Sequence, residues 1–429
     1  MDTTPIDDNV PEAAPPPGLI PPARLVGGNQ VDLLEGGDEL FPAMTSAMAR
    51  ARRDIWLATY IFHDDGAGRA VADGLIAAAR RGVAVHVVVD GFGSMATLHR
   101  VRRWLADAGV GIEIFRPLDR WWSWLLPSQL RRLHQKLCVV DREVAFVGGI
   151  NIIDDRNDLT HGLTDQPRLD FAVAVRGPLV AAVHTTVVAM WTRARLGHQW
   201  RDEVRALAVS RRPVDETLRL IRRLRGRSPL LPTEDVPQPM VAAFVVRDNV
   251  RQRRAIERAY VAAIRAAHTR IDIAVPYFYP GRGFRRSLRQ AARRGVRVRL
   301  LLQGKIDYRI AAVAARVLYD ELRSHGVHIY EYTPAFLHAK VAVVDDDWAT
   351  VGSSNIDPLS LLLNLEANVV VHDPDFSEVL ARRFDVAVAV STEVRGLPAA
   401  RGWQGLLQRG FVAWLANLYL RLAGITGRY

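Results

Sequence analysis

One pattern, H-x-K-x4-D-x6-G-[GS]-x-N, occurs twice in this chain and constrains its fold more than any other feature. The first copy runs from His134 through Lys136 and Asp141 to Gly148-Gly149-Ile150-Asn151. The second runs from His338 through Lys340 and Asp345 to Gly352-Ser353-Ser354-Asn355. Internal repetition signals an architecture assembled from copies of one unit. A second repeat agrees. Ala78-Ala-Arg-Arg-Gly-Val83 precedes the strand-like Ala84–Asp90, and Ala291-Ala-Arg-Arg-Gly-Val296 precedes Arg297–Leu302. Each reads as a helix that stops at a glycine and feeds a strand. Earlier apolar runs, Ile55–Tyr60 and Ile271–Val275, predict one further strand per half. Helices alternating with buried strands imply α/β layers. The chain therefore reads as two tandem α/β domains, residues 23–205 and 240–395. They are flanked by a disordered leader (1–22), an Arg/Pro-rich linker (206–239) and an amphipathic tail (396–429).

The cations point to the chemistry. Lys136, Lys305 and Lys340 are the only lysines among 57 Lys and Arg residues. Two of them stand two residues after a repeated His. Lysine offers a compact ammonium, arginine a planar fork. A chain that otherwise uses Arg needs an ammonium at those places, and a phosphoryl oxygen beside an imidazole is the partner that fits. Two His can supply a nucleophile and a general acid near neutral pH. Two Lys, with Asn151, Asn355 and the Ser353 hydroxyl, can surround the non-bridging oxygens. This leaves no need for a metal or other cofactor. Each imidazole also needs an acceptor to orient it. Asp170 lies downstream of His134 and Glu366 downstream of His338, both ahead of β-like runs. Asp141 and Asp345 belong to the catalytic motif, yet each closes a strand at a turn and looks structural.

These residues resemble the duplicated HKD motif of the phospholipase D superfamily. The chain is more closely similar to bacterial short-form cardiolipin synthases, which lack N-terminal transmembrane helices. The likeness extends to Val31-Asp-Leu-Leu-Glu-Gly-Gly37, Val89-Asp-Gly-Phe-Gly-Ser94, Asn355-Ile-Asp357 and Asn364-Leu-Glu366. It implies two phospholipase D-like halves related by a pseudo-twofold axis, with one shared site at their interface. It also implies that His134 is the nucleophile, forming a phosphohistidine, and that His338 is the acid and then the base. The implied reaction moves a phosphatidyl group from phosphatidylglycerol to a second phosphatidylglycerol, with phosphatidylethanolamine as an alternative donor. Phospholipid hydrolysis to phosphatidic acid and an HKD-type nuclease or phosphodiesterase are the other activities of such a scaffold. A non-catalytic binding protein would more plausibly have lost one of the motif residues.

The net charge of +11 favours an anionic partner. Aromatic residues are not interleaved through a basic groove, so a nucleic acid is not expected. No segment reaches the roughly 18 to 20 uninterrupted apolar residues that span a bilayer. Two segments suit a membrane surface instead. Trp121, Trp122 and Trp124 stand beside Arg120, Arg131 and Arg132. In the tail, Leu407, Phe411, Trp414, Leu415, Leu418 and Leu422 fall on one helical stripe. Either segment could instead dock on the protein itself. The expected location is peripheral, on the cytoplasmic side of the bacterial inner membrane. The single cysteine, Cys138, excludes an internal disulfide and sits in an apolar run that predicts a buried strand thiol.

Overall fold

A computed structural model describes residues 23–117, 131–159, 161–209, 240–248, 252–305, 319–357 and 364–395, with side chains omitted for 197–209. The expected leader, most of the linker, the tail and the Trp121–Trp124 segment lie outside the described residues.

The first half contains β1 (Val26–Glu35), α1 (Gly36–Arg50), β2 (Asp54–Thr59), α2 (Gly66–Arg80), β3 (Ala84–Asp90), α3 (Leu98–Ala106), β4 (Gly111–Phe115), β5 (Lys136–Val140), β6 (Val144–Gly148), the short β7 (Asn157–Asp158) and β8 (Gly162–Leu163), β9 (Phe171–Arg176) and α4 (Val180–Val209). The second contains β10 (Met240–Arg247), α5 (Ala255–Ala266), β11 (Arg270–Ala274), α6 (Arg282–Arg293), β12 (Arg297–Gln303), β13 (Val327–Tyr332), β14 (Val341–Val344), β15 (Trp348–Gly352), β16 (Glu366–His372), α7 (Pro374–Ala389) and β17 (Thr392–Glu393). The repeated helix–glycine–strand units take the same form. Both α2 and α6 end just before a glycine in the left-handed region, Gly82 (φ 91°) and Gly295 (φ 90°), and lead into β3 and β12.

Strand order makes the duplication explicit. The first half runs β1-β9-β6-β5-β2-β3-β4 and the second β10-β16-β15-β14-β11-β12-β13, with β17 added at its edge. The two meet where β1 pairs antiparallel with β10, giving one 15-stranded sheet. Near that join the sheets turn onto each other, bringing β6 against β15 and β16.

Period-two alternation explains the layers. On β5, Leu137 and Val139 enter a core shared by both halves, while Cys138 and Val140 enter an outer core beneath α1 and α2. On β14, Val341 and Val343 face the shared core, and Ala342 and Val344 face a second outer core beneath α5 and α6. Strands buried on both faces require continuous apolar runs. Val183 and Val187 of α4, with Leu380 and Phe384 of α7, complete the shared core. Within each half, β2–β4 and β11–β13 are parallel, whereas β5 and β14 run antiparallel to β2 and β11. The starts of β5 and β14 therefore lie beside the carboxyl ends of the parallel strands, where open α/β sheets place their sites.

Candidate active site

The approach to each motif is held by the opposite half. Leu133 bridges Leu365 in parallel, and Leu169 bridges Leu337. The His134 N–H donates to the Leu365 carbonyl (3.1 Å), and the His338 N–H to the Leu169 carbonyl (2.8 Å). Glu366 and Asp170 follow those bridges directly. As a result, His134 Nδ1 lies 2.9 Å from Glu366 Oε2, and His338 Nδ1 lies 2.6 Å from Asp170 Oδ2. In sequence each carboxylate trails the His of its own half; in space each serves the His of the other. A carboxylate on Nδ1 makes that nitrogen the protonated one and leaves Nε2 as the reactive atom. Both His precede their strands, with Lys136 opening β5 and Lys340 standing just before β14.

Lys136 Nζ donates to its own His134 carbonyl (2.8 Å), and Lys340 does the same to His338. Burial pushes Lys136 down to about 7 and Lys340 to about 8, opposed by the carboxylates of Glu366 and Asp170. Burial also lowers both imidazoles. Glu366 opposes the change at His134, while Lys340, Arg168 and Lys136 drive His338 further down. Burial outweighs these carboxylates, and a bound phosphate anion would favour the charged form of each cation.

The two carboxylates differ. Burial pushes Asp170 up to about 6. Burial alone would raise Glu366 as well, but His134, Lys136 and the Ser353 hydroxyl outweigh it and hold it below the usual range. Ser353 Oγ donates to Glu366 Oε2 at 2.6 Å and accepts from the Ala367 N–H at 3.0 Å. A hydroxyl has one hydrogen, and that of Ser353 is directed at Glu366, so we propose that Ser353 supports this carboxylate. Gly149, its counterpart, has no room for a side chain, because an added Cβ would lie 2.4 Å from Asp170 Oδ1. The Gly/Ser difference thus follows the Asp/Glu difference. Replacing Ser353 by Ala is expected to raise the Glu366 pKa. Glu366 would then protonate earlier on acidification, so the acid limb of kcat/KM should move to higher pH. An unmoved limb in the pH–rate profile would remove Ser353 from this role.

The contacts of Asp141 and Asp345 suit the structural reading of these two motif residues. Asp141 accepts from the N–H groups of Arg52, Arg53 and Asp54 at 2.7–3.0 Å. Asp345 accepts from those of His268, Thr269 and Arg270. Each pins the entry of the neighbouring strand, β2 or β11. Asn151 and Asn355 are buried beside the motifs. Asn151 Oδ1 accepts from the Ile61 N–H at 3.3 Å, which leaves its amide N–H groups as the donors for a substrate. Cys138 is buried and its thiol pushed up to about 12, consistent with a packing role.

Sequence reasoning passed over three residues. The Tyr60 ring lies 5.0 Å from the His134 ring and 5.5 Å from Lys136 Nζ. Its position just past the end of β2 was the available signal. Asp90, at the end of β3, accepts from the Leu133 N–H at 2.9 Å, and Gln303, at the end of β12, accepts from the Leu337 N–H at 3.0 Å. These two equivalent side chains hold the residue before each catalytic-motif His.

Comparison with known proteins identifies the family. The family model described as cardiolipin synthase, PLD-like domain, matches residues 44–162 and 260–387. Cardiolipin synthase B of Salmonella typhimurium is 38% identical over 353 residues, covering 82% of this chain and 79% of that protein. Its Escherichia coli counterpart is 36% identical over 366 residues, covering 85% and 82%. Cardiolipin synthase A of Pseudomonas fluorescens is 33% identical over 387 residues, covering 89% and 73%. Among solved structures, the phosphatidylserine synthase of Haemophilus influenzae superposes with a TM-score of 0.59 at 13% identity, covering 94% of this chain and 95% of that one, a likeness of fold. With both motif-bearing halves matched by the family model, and relatives above 35% identity spanning four-fifths of its length, this chain belongs to the cardiolipin synthase family of phospholipase D-like proteins.

Proposed function

We propose that the protein is a phosphatidyltransferase that makes cardiolipin from two molecules of phosphatidylglycerol. The observation that carries the chemistry is the pair of imidazoles, each with Nδ1 on a buried carboxylate and each followed by a buried lysine. The substrate class follows the relatives. In this reading His134 Nε2 attacks phosphorus and His338 donates its proton to the departing glycerol oxygen. The phosphorus–oxygen bond breaks as the phosphorus–nitrogen bond forms. His338 then takes the proton from an incoming lipid hydroxyl, which displaces His134 and restores the site. Lys136 and Lys340 balance charge on the non-bridging oxygens, and Asp170 and Glu366 hold the two rings in place.

The matching geometry of the two half-sites makes the reversed order, with His338 attacking, the second reading. Mapping the phosphorus-labelled peptide after a rapid denaturing quench at alkaline pH, where a phosphorus–nitrogen bond to His survives, decides between the two.

The reading places the enzyme at the cytoplasmic membrane surface, engaged through Trp121–Trp124 and the tail. Among the described residues no helix is long and apolar enough to cross a membrane. Vesicles of labelled phosphatidylglycerol test both parts in one experiment. Cardiolipin with one released glycerol per product, on protein that floats with the vesicles, is expected. Phosphatidic acid alone would make the protein a hydrolase, and protein left in the soluble fraction would refute the surface location.

A further inference from the structure

The third lysine has no place in this mechanism, yet it too stands at the site. Lys305 stands two residues past the end of β12, and its Nζ lies 5.4 Å from the centre of the Phe336 ring. Phe336 comes two residues before His338. Positions i and i+2 of an extended segment point the same way, roughly 7 Å apart. Gln303, two residues before Lys305, accepts from the N–H of Leu337, the neighbour of His338, so the Lys305 ammonium lies on the His338 side of the site.

The other half shows what is unusual about it. Asp90 and Gln303 are equivalent, since each accepts from the N–H before a motif His. Two residues beyond them stand Phe92 and Lys305. Two residues before His134 and His338 stand Arg132 and Phe336. Both pairs form a cation–ring contact, with Arg132 5.3 Å from the Phe92 ring, but the cation and the ring have exchanged strands. The charge balance differs as well. Arg132 lies 3.8 Å from the buried Asp90 carboxylate and donates to the Arg116 carbonyl. In the second half the carboxylate is replaced by the neutral amide of Gln303. Among the described residues no carboxylate lies within ion-pair distance of Lys305. Among the described residues the first-half cation thus has a carboxylate partner, while the second-half cation has none.

A second phosphodiester is what this charge fits. When phosphatidylglycerol is the acceptor, its own phosphate remains one glycerol unit from the reacting phosphorus and carries a negative charge throughout. We infer that Lys305 binds the phosphodiester of the acceptor lipid, and so selects phosphatidylglycerol over neutral alcohols. This rests on the phosphatidyl-transfer reading above.

The test compares two acceptors with one donor. Full-length protein is given labelled phosphatidylglycerol, and cardiolipin formation is measured against exchange of free labelled glycerol into the same lipid. Lys305→Gln is expected to raise KM for the acceptor lipid and lower cardiolipin formation about tenfold at subsaturating lipid, with glycerol exchange held within about twofold. Lys305→Arg is expected to recover most of the loss, because it keeps the charge. Equal loss with both acceptors, or no loss with either, would overturn the inference. Wild-type protein that makes no cardiolipin would overturn the functional reading itself, and that result is seen without any variant.

Discussion

His134→Ala and His338→Ala are each expected to lower phosphatidyl transfer by about 10⁴-fold or more while leaving the circular dichroism spectrum unchanged. One imidazole cannot both form the phosphorus–nitrogen bond and protonate the leaving oxygen. The two losses should not add, because a site missing either group has already lost the pathway, so the double variant should be no slower than the worse single one. The variants also separate the steps. With His338 removed and a substrate whose leaving alcohol needs no protonation, the phosphorylated enzyme should form and persist, since no base activates the acceptor. With His134 removed, no such species should form. Wild-type-like activity in either single variant would end the shared-site mechanism.

The largest effect on stability is expected at Asp141. Its carboxylate accepts from three consecutive backbone N–H groups, those of Arg52, Arg53 and Asp54, and its own φ is 52°. Asp and Asn tolerate that left-handed backbone better than other side chains. Asp141→Ala removes three charge-assisted hydrogen bonds and adds backbone strain, for an expected cost of about 3–4 kcal/mol. Asp141→Asn keeps one acceptor oxygen and the turn preference, and should cost less than half of that. Urea unfolding of both variants checks this. Activity per folded molecule should stay near wild type in each, in contrast with the histidine variants, because Asp141 lies at the far end of β5 from His134. A folded, inactive Asp141→Asn would return this residue to the catalytic group.

These two outcomes also mark what could be read from the chain alone. The His, the two motif lysines and the turn aspartates were legible because a duplicated pattern with intervening apolar residues fixes both strand and face. Asp170 and Glu366 were legible as candidates. Which imidazole each one serves was not, because the answer depends on how the halves dock, and the Leu133–Leu365 and Leu169–Leu337 bridges leave no local trace in either segment. The Ser353–Glu366 contact was hidden for a related reason. A serine beside a phosphate motif suggests a donor to substrate, and only the position of Glu366 shows that its hydrogen is already engaged. Tyr60 and Gln303 gave no compositional signal and stand out only once the strand ends are assembled around the site.

The exchange of carboxylates between the halves also bears on how the chain becomes active during its synthesis. Glu366 is made 232 residues after the histidine it orients. A growing chain that has completed only its first half holds His134 without its acceptor, and Asp170 without the ring it serves. Neither imidazole acquires its reactive form until the second half has been built, folded and docked. An enzyme that acts on phosphodiesters is thus synthesised in an inert state, and chemical competence arrives together with the finished fold.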